Sequence, residues 1–205
     1  MRLDIDLTQG KIKRNVYFTS DFHLFHHNVI RFDSRPFVDV HEMHKVIEER
    51  WNEVITKDDT VIYLGDLTFA RREDKAFVEA MVGRLKGDIH YVMGNHDKLQ
   101  DIKKFTQFKT IQDYLEVRIA HNQNDKRVET LFCCMHYPIY SWNKAHHGSI
   151  LVHGHSHMNL SEGEFHKTHR IFDVGCMGYE YKPVSYLELI KKAELIDFNL
   201  VNNHH

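Results

Sequence analysis

Cysteine, proline and net charge are all scarce in this chain: its 205 residues hold three Cys and three Pro, and the formal charge is -2 with His neutral. Cys133 and Cys134 are neighbours inside an apolar run. That placement excludes a disulfide framework and reads as small buried hydrophobes in a reducing compartment. No apolar stretch approaches the ~20 residues of a membrane-spanning helix. The opening Met1-Arg2-Leu3-Asp4-Ile5-Asp6 has no apolar signal core, so a cytoplasmic protein with no membrane partner is expected. The near-neutral charge offers no broad basic field, which argues against nucleic acid as a partner. No repeat, low-complexity tract or linker divides the chain, so one domain over residues 1–205 is expected. Oligomeric state leaves no signal.

Histidine is what the chain has in excess, at 18 residues. The final His204-His205 fits either a purification tag or a native end. Five others stand in a pattern with Asp and Asn. Val16-Tyr17-Phe18-Thr19-Ser20 runs into Asp21-Phe22-His23, Val61 to Leu64 into Gly65-Asp66, and Ile89 to Met93 into Gly94-Asn95-His96-Asp97. Leu131 to Met135 runs into His136, and Ser149 to Val152 into His153-Gly154-His155-Ser156-His157. Short apolar runs rich in β-branched residues read as buried strands. Open α/β sheets carry their sites beyond the carboxyl ends of such strands. Five strands bringing Asp, His and Asn to one edge predict a polynuclear metal site.

Between these runs, Val40 to Ile55 reads as an amphipathic helix, with Met43, Val46, Ile47, Trp51, Val54 and Ile55 at helical spacing. His41 and His44, one turn apart on it, read as an exposed first turn rather than a ligand pair. Lys11 to Arg14 reads as a solvated basic lead-in to the first strand, and Leu24 to Asp39 as a long loop. Glu73 to Leu85 reads as a second helix closed by Lys86-Gly87. Asp101 to Phe108 fits either type. Tyr114 to Ala120 and Glu129 to Met135 read as a hairpin around the polar turn His121 to Arg127. Arg170 to Val174 reads as a strand, and Ser185 to Ala193 as a closing helix.

Asp21, His23, Asp66, Asn95, His136, His155 and His157 are oxygen and imidazole donors with no thiolate among them. Such a set suits Mn, Fe, Zn, Ni or Co, and is too rich in His for a dedicated Ca site. Seven donors exceed one ion, and a shared carboxylate can bridge two ions at ~3.5–4 Å. Two carboxylates do not neutralise two divalent cations. The site therefore attracts further anions, of which hydroxide is one and a phosphate ester a natural second.

In their order and wording these residues resemble the calcineurin-like metallophosphoesterases. That family's pattern of D-x-H, G-D, G-N-H-[DE], a lone H and G-H-x-H is met by Asp21-Phe22-His23, Gly65-Asp66, Gly94-Asn95-His96-Asp97, His136 and Gly154-His155-Ser156-His157. Phe172-Asp173-Val174-Gly175 and Lys182-Pro183-Val184-Ser185 look like the tail of its compact bacterial and phage members. The resemblance implies an α/β sandwich of two mixed β-sheets flanked by helices. It implies one metal on Asp21, His23 and His157, a second on Asn95, His136 and His155, and Asp66 bridging them, with Mn favoured. It further implies that a metal-bridging hydroxide attacks phosphorus while His96 protonates the leaving group, its ring oriented by Asp97.

His26 and Asn28 follow the first motif closely enough to reach the site. Arg31 and Arg35 are placed either to hold a second phosphate or a nucleotide, or to sit on a packed loop. Trp142 is placed either to stack on a substrate's base or to close the small core beneath its loop. The expected function is a dinuclear-metal phosphodiesterase acting on small diesters or nucleotides. The alternatives are a phosphomonoesterase and a non-catalytic metal-binding scaffold of the same fold.

Overall fold

Apolar alternation with a period of two builds the centre of the molecule, which a computed structural model describes over residues 1–9 and 14–196. In strand β3 (Thr60–Tyr63) and the residue after it, Val61 and Tyr63 face one core while Ile62 and Leu64 face another. A strand buried on both faces belongs in the middle of a sheet covered on both sides. Its sheet has the order β10-β2-β3-β4-β5. Here β2 (Val16–Thr19), β3, β4 (Asp88–Val92) and β5 (Phe108–Gln112) run parallel, and the short β10 (Val184–Ser185) is antiparallel at the β2 edge.

The second sheet has the order β1-β6-β7-β8-β9. It comprises β1 (Arg2–Asp6), β6 (Tyr114–Gln123), β7 (Lys126–Met135), β8 (Ile150–His153) and β9 (Ile171–Asp173). β6 and β7 form an antiparallel hairpin and the other pairs are parallel. The turn is tighter than the composition suggested. Asn124 and Asp125 both take positive φ, at 50° and 60°, so pairing continues through His121 to Gln123. A two-residue turn of that kind matches the twist of its strands.

The two sheets pack face to face through Val16, Phe18, Ile62, Val117, Phe132 and Val152, and α6 (Tyr186–Glu194) adds Leu189 and Ile190 to that core. On the outer face of the first sheet lie α2 (Val40–Val54) and α3 (Lys75–Arg84). The start of α2 is capped by Asp39, whose carboxylate accepts from the His41 and Glu42 amides at 2.9 Å, while Glu42 accepts from the Val38 amide at 2.6 Å. This reciprocal arrangement satisfies amides the helix leaves unpaired. Val40, Met43, His44, Ile47 and Trp51 then form its buried stripe. Trp51 meets Phe22 edge-on at 5.9 Å, and its indole donates to the Lys86 carbonyl at 2.9 Å. Truncating such an anchor to Ala costs roughly 3–5 kcal/mol.

Two segments resolve beyond the sequence reading. The stretch Leu24 to Asp39 contains a short helix, α1 (His27–Phe32), and the ambiguous Asp101 to Phe108 region is mostly turn, joining the end of α4 (Leu99–Ile102) to the start of β5. A further short helix, α5 (Glu164–Thr168), precedes β9. Lys11 to Lys13 and His204-His205 lie outside the described residues. Among the described residues no helix is long and apolar enough to cross a membrane.

Candidate metal centre

The carboxyl ends of β2, β3, β4, β7 and β8 meet at one edge of the sandwich, and the backbone there is bound loop to loop. The amides of Asp21 and His23 donate to the carbonyls of Gly65 and Asp66 at 3.1 Å, and that of Gly154 to His136 at 3.0 Å. Asp21, His23, Asp66, His155 and His157 all take positive φ, between 48° and 67°. Left-handed backbone at non-glycine residues costs about 1–3 kcal/mol each and persists where its surroundings over-determine it. Close approach is enforced by glycine: a Cβ on Gly94 would strike the Asp66 carboxylate, and one on Gly154 would strike Asp21 and Ser20.

The side chains so placed form two donor groups. In the first, Asp21 Oδ1 lies 3.7 Å from His23 Nε2 and 3.8 Å from His157 Nε2, and the two imidazole nitrogens are 3.0 Å apart. In the second, Asn95 Oδ1 is 2.9 Å from both His136 Nε2 and His155 Nδ1. Asp66 Oδ2 stands between them, 3.7 Å from His23 Nε2 and 3.5 Å from His136 Nε2. Donors bound to one ion at ~2.1 Å sit ~3.0 Å apart at a right angle and ~3.4 Å apart at the tetrahedral angle. The His23–His157 pair at 3.0 Å and the Asn95 contacts at 2.9 Å are near the lower spacing, while Asp21 stands slightly wider at 3.7–3.8 Å. Asp21, His23 and His157, and separately Asp21, Asp66 and His136, could each hold a metal ion.

The proton positions point the same way. His136 Nδ1 lies 2.7 Å from the Leu64 carbonyl, which can only accept, so Nδ1 carries the proton and Nε2 turns to Asn95 Oδ1 and Asp66. That 2.9 Å contact between Nε2 and a carbonyl oxygen is satisfied by a second proton on the ring or by a cation held between the two atoms. Burial pulls the His136 pKa down, but the Asp66 and Asp21 carboxylates outweigh it and raise it. Burial likewise pushes the Asp21 carboxyl up, yet His23, His136 and the Ser20 hydroxyl hold it below the usual carboxylate range. Asp66 is lowered against burial chiefly by His136. The centre thus keeps its carboxylates ionised and favours a cation next to them.

Outer groups fix the ligands. Asp33 accepts from His157 Nδ1 at 2.8 Å, which leaves Nε2 directed at Asp21. Ser20 Oγ donates to Asp21 Oδ2 at 2.6 Å, as does the His155 amide at 3.1 Å. Asp173 accepts from the Met158 amide at 2.9 Å and from the Ser156 hydroxyl, holding the loop that carries His155 and His157. Carboxylates that orient ligating imidazoles commonly change metal affinity ~10–100-fold when lost. Sequence reasoning passed over Asp33, although a lone acid between Arg31 and Arg35 just after the first motif was a usable signal.

Two expectations are corrected and one open alternative is decided. Arg35 does not offer its guanidinium to a substrate: it is buried, donating to the Phe22 carbonyl at 2.9 Å, the Asp21 carbonyl at 3.0 Å and Asp33 at 2.8 Å. Asp97 does not orient the His96 ring. Its Oδ2 accepts from the Asp66 amide at 2.9 Å, the Gly94 amide at 2.7 Å and the Tyr91 hydroxyl at 2.8 Å, and its Oδ1 from the Leu67 amide at 3.2 Å. It ties two ligand loops together. Trp142 takes the packing alternative, lying over Cys133, Leu151 and Ile171 on the outer face of the second sheet and donating to the Ser149 carbonyl at 3.3 Å.

His96 stands at the open side of the centre, half-exposed, with Nε2 4.0 Å from Asp66 Oδ2. The His26 ring lies 5.8 Å from that of His23, but its Nδ1 caps α1 by accepting from the Val29 amide at 2.9 Å. Asn28 and Arg31 are exposed on α1, and among the described residues neither contacts the donor groups; Arg31 lies over the Phe32 ring at 5.4 Å.

No protein-family model matches the sequence. The crystal structure of AQ665, a protein of unknown function from Aquifex aeolicus, shares the two-sheet α/β architecture with a TM-score of 0.64 at 26% identity, over 87% of this chain and 99% of that one. The Gene 66 protein of Mycobacterium phage L5 is 25% identical over 212 aligned residues, 93% of this chain and 96% of its own length. The uncharacterized protein MJ1445 of Methanocaldococcus jannaschii is 32% identical over 188 residues, 89% of this chain and 95% of its own length. Likeness of that degree over nearly all of both proteins means that this chain belongs to the family of MJ1445.

Proposed function

We propose that this protein is a dinuclear-metal phosphoesterase acting on small phosphodiesters. The observation that carries the reading is the pair of donor groups meeting at Asp66 Oδ2, within 3.7 Å of His23 Nε2 and 3.5 Å of His136 Nε2. Asp21, His23 and His157 would hold one ion, Asn95, His136 and His155 the other, and Asp66 both. Two such ions, when bound, supply Lewis-acid charge and activate water at neutral pH.

The chain's own residues do the rest. Asp21 and Asp66 are the anionic members of these seven donors, so the loaded centre keeps positive charge that draws in a phosphate ester. Asn95 and His155 are exposed while Asp21 and His136 are buried, so a substrate approaches from the Asn95 side. His96, on that same open side, delivers a proton to the departing oxygen; a positioned imidazole contributes ~10²–10⁴-fold in such a role. Asp97 supports it indirectly, by holding the 94–97 loop against the Asp66 turn.

The test is turnover of bis-p-nitrophenyl phosphate, p-nitrophenyl phosphate and a series of aryl phosphodiesters with less acidic leaving phenols by Mn²⁺-loaded protein, in wild type, Asp66→Ala and His96→Ala. Preference for the diester, loss of activity in Asp66→Ala, and a His96→Ala defect that grows with the leaving group's pKa are expected. Full activity in Asp66→Ala overturns the centre, and a defect independent of leaving group removes His96 from the acid role.

A further inference from the structure

The open side of the centre leads into a concavity that ester cleavage alone leaves unassigned. A cavity of about 430 Å³ lies between α3 and α4, and Asn95 and His96 are part of its lining. Its floor is apolar, made by the buried Val78, Ile102 and Phe105. Its wall next to the centre is Phe69, a residue 37% exposed. That ring is flanked by imidazoles, at 4.6 Å from His96, 5.4 Å from His23 and 4.3 Å from His26. The backbone beneath it is fixed, since the Phe69 amide donates to the Leu24 carbonyl at 2.8 Å and the Thr68 hydroxyl to the same oxygen at 3.1 Å. A rigidly mounted, partly exposed aromatic at the rim of a polar site is a stacking platform.

Charge completes the description. Lys75, Lys98 and Lys104 all line the cavity. Lys75 and Lys104 share Asp101, at 2.6 and 3.4 Å. Lys98 is exposed and has no acidic partner among the described residues. Glu79 and Asp97 line it too, so its charges balance overall; it combines an aromatic wall, an apolar floor and a lysine without a direct ion pair, beside the group that faces the leaving oxygen. Its volume falls in the ~300–1,000 Å³ range of ligand sites.

We propose that this cavity seats the leaving half of the substrate and that this half is a nucleotide, with its base on Phe69 and its own phosphate towards Lys98. The assignment rests on the phosphoesterase reading, because His96 is what joins the cavity to the reacting oxygen.

The test is equilibrium binding, which needs no turnover. Adenosine, AMP and ribose 5-phosphate are titrated calorimetrically into Mn²⁺-loaded wild type, Phe69→Leu, Phe69→Trp and Lys98→Glu. AMP binding tighter than ribose 5-phosphate is expected, with roughly tenfold loss of both adenosine and AMP in Phe69→Leu, the scale of one base stack. Phe69→Trp retains both, which separates stacking from folding, and Lys98→Glu weakens AMP while leaving adenosine unchanged. Equal binding of AMP and ribose 5-phosphate overturns the proposal, as does a base preference that survives in folded Phe69→Leu. Either result leaves diester cleavage standing if Mn²⁺-loaded protein still hydrolyses bis-p-nitrophenyl phosphate.

Discussion

Replacing Arg35 with Leu separates a structural arginine from a substrate-binding one. The guanidinium is fully covered and makes four hydrogen bonds to oxygen: two to the carbonyls of Asp21 and Phe22, and two to Asp33. Leucine fills most of the apolar stem's space but leaves the Phe22 carbonyl unpaired, the Asp21 carbonyl with only the Cys176 thiol at 3.4 Å, and Asp33 without its cation. Removing one partner of a buried pair costs about 3–5 kcal/mol. Asp33 keeps His157 as a second partner, which puts the expected loss near the low end, about 3–4 kcal/mol. A chain of this size loses ~2–4 °C of Tm per kcal/mol, so Tm should fall by about 6–16 °C. Thermal unfolding followed by far-ultraviolet circular dichroism, on metal-stripped protein at pH 7, isolates this from metal binding. A Tm within about 2 °C of wild type, with a raised KM, would refute the structural assignment and return Arg35 to the substrate.

Further outcomes follow from the same geometry. Asp33→Asn removes the carboxylate behind His157 and should weaken one of two Mn²⁺ sites by ~10–100-fold in a chelator competition, whereas two unaltered affinities would contradict the orienting role. Trp142→Phe should cost under ~1.5 kcal/mol and leave KM unchanged for every ester tried; a selective rise for nucleotides would contradict its placement in the outer core. His44 is buried, accepts from the Phe25 amide at 2.9 Å, and is held down from 6.5 to about 4 by burial and then by the charges of His41 and His27. Below pH 6.5 the unfolded chain takes up a proton that the folded one refuses, so stability should fall between pH 6.5 and about 4, by up to ~3 kcal/mol from this residue. Urea midpoints across that range should vary less in His44→Gln, and identical pH slopes would count against it.

What could be read from the sequence and what could not divides along physical lines. Buried parallel strands announce themselves as continuous apolar runs, so β2, β3, β4, β7 and β8 and the ligand types at their ends stood out. The stripe of α2 and the alternation of the β6–β7 hairpin were equally direct. β1 escaped because an edge strand reading Arg2-Leu3-Asp4-Ile5-Asp6 leaves three of its five residues exposed and resembles a charged tail. α1 escaped because it is six residues long and capped by a histidine, which no propensity rule favours. Arg35 and Asp97 were seen as chemistry-bearing but misassigned, and Trp142 was left between two roles. Residue type tells what a group can do, and only the fold tells whether its hydrogen bonds are already taken. Phe69 was passed over because nothing local separates an aromatic that closes a core from one that lines a cavity.

The central claim is a two-ion centre that turns over phosphodiesters. Its most direct test is the rate of bis-p-nitrophenyl phosphate hydrolysis as Mn²⁺ is titrated into metal-stripped protein. The account predicts activity that rises and saturates at two equivalents per chain. Saturation at one equivalent, or no activity at any Mn²⁺ level in protein that binds the ions, would contradict it.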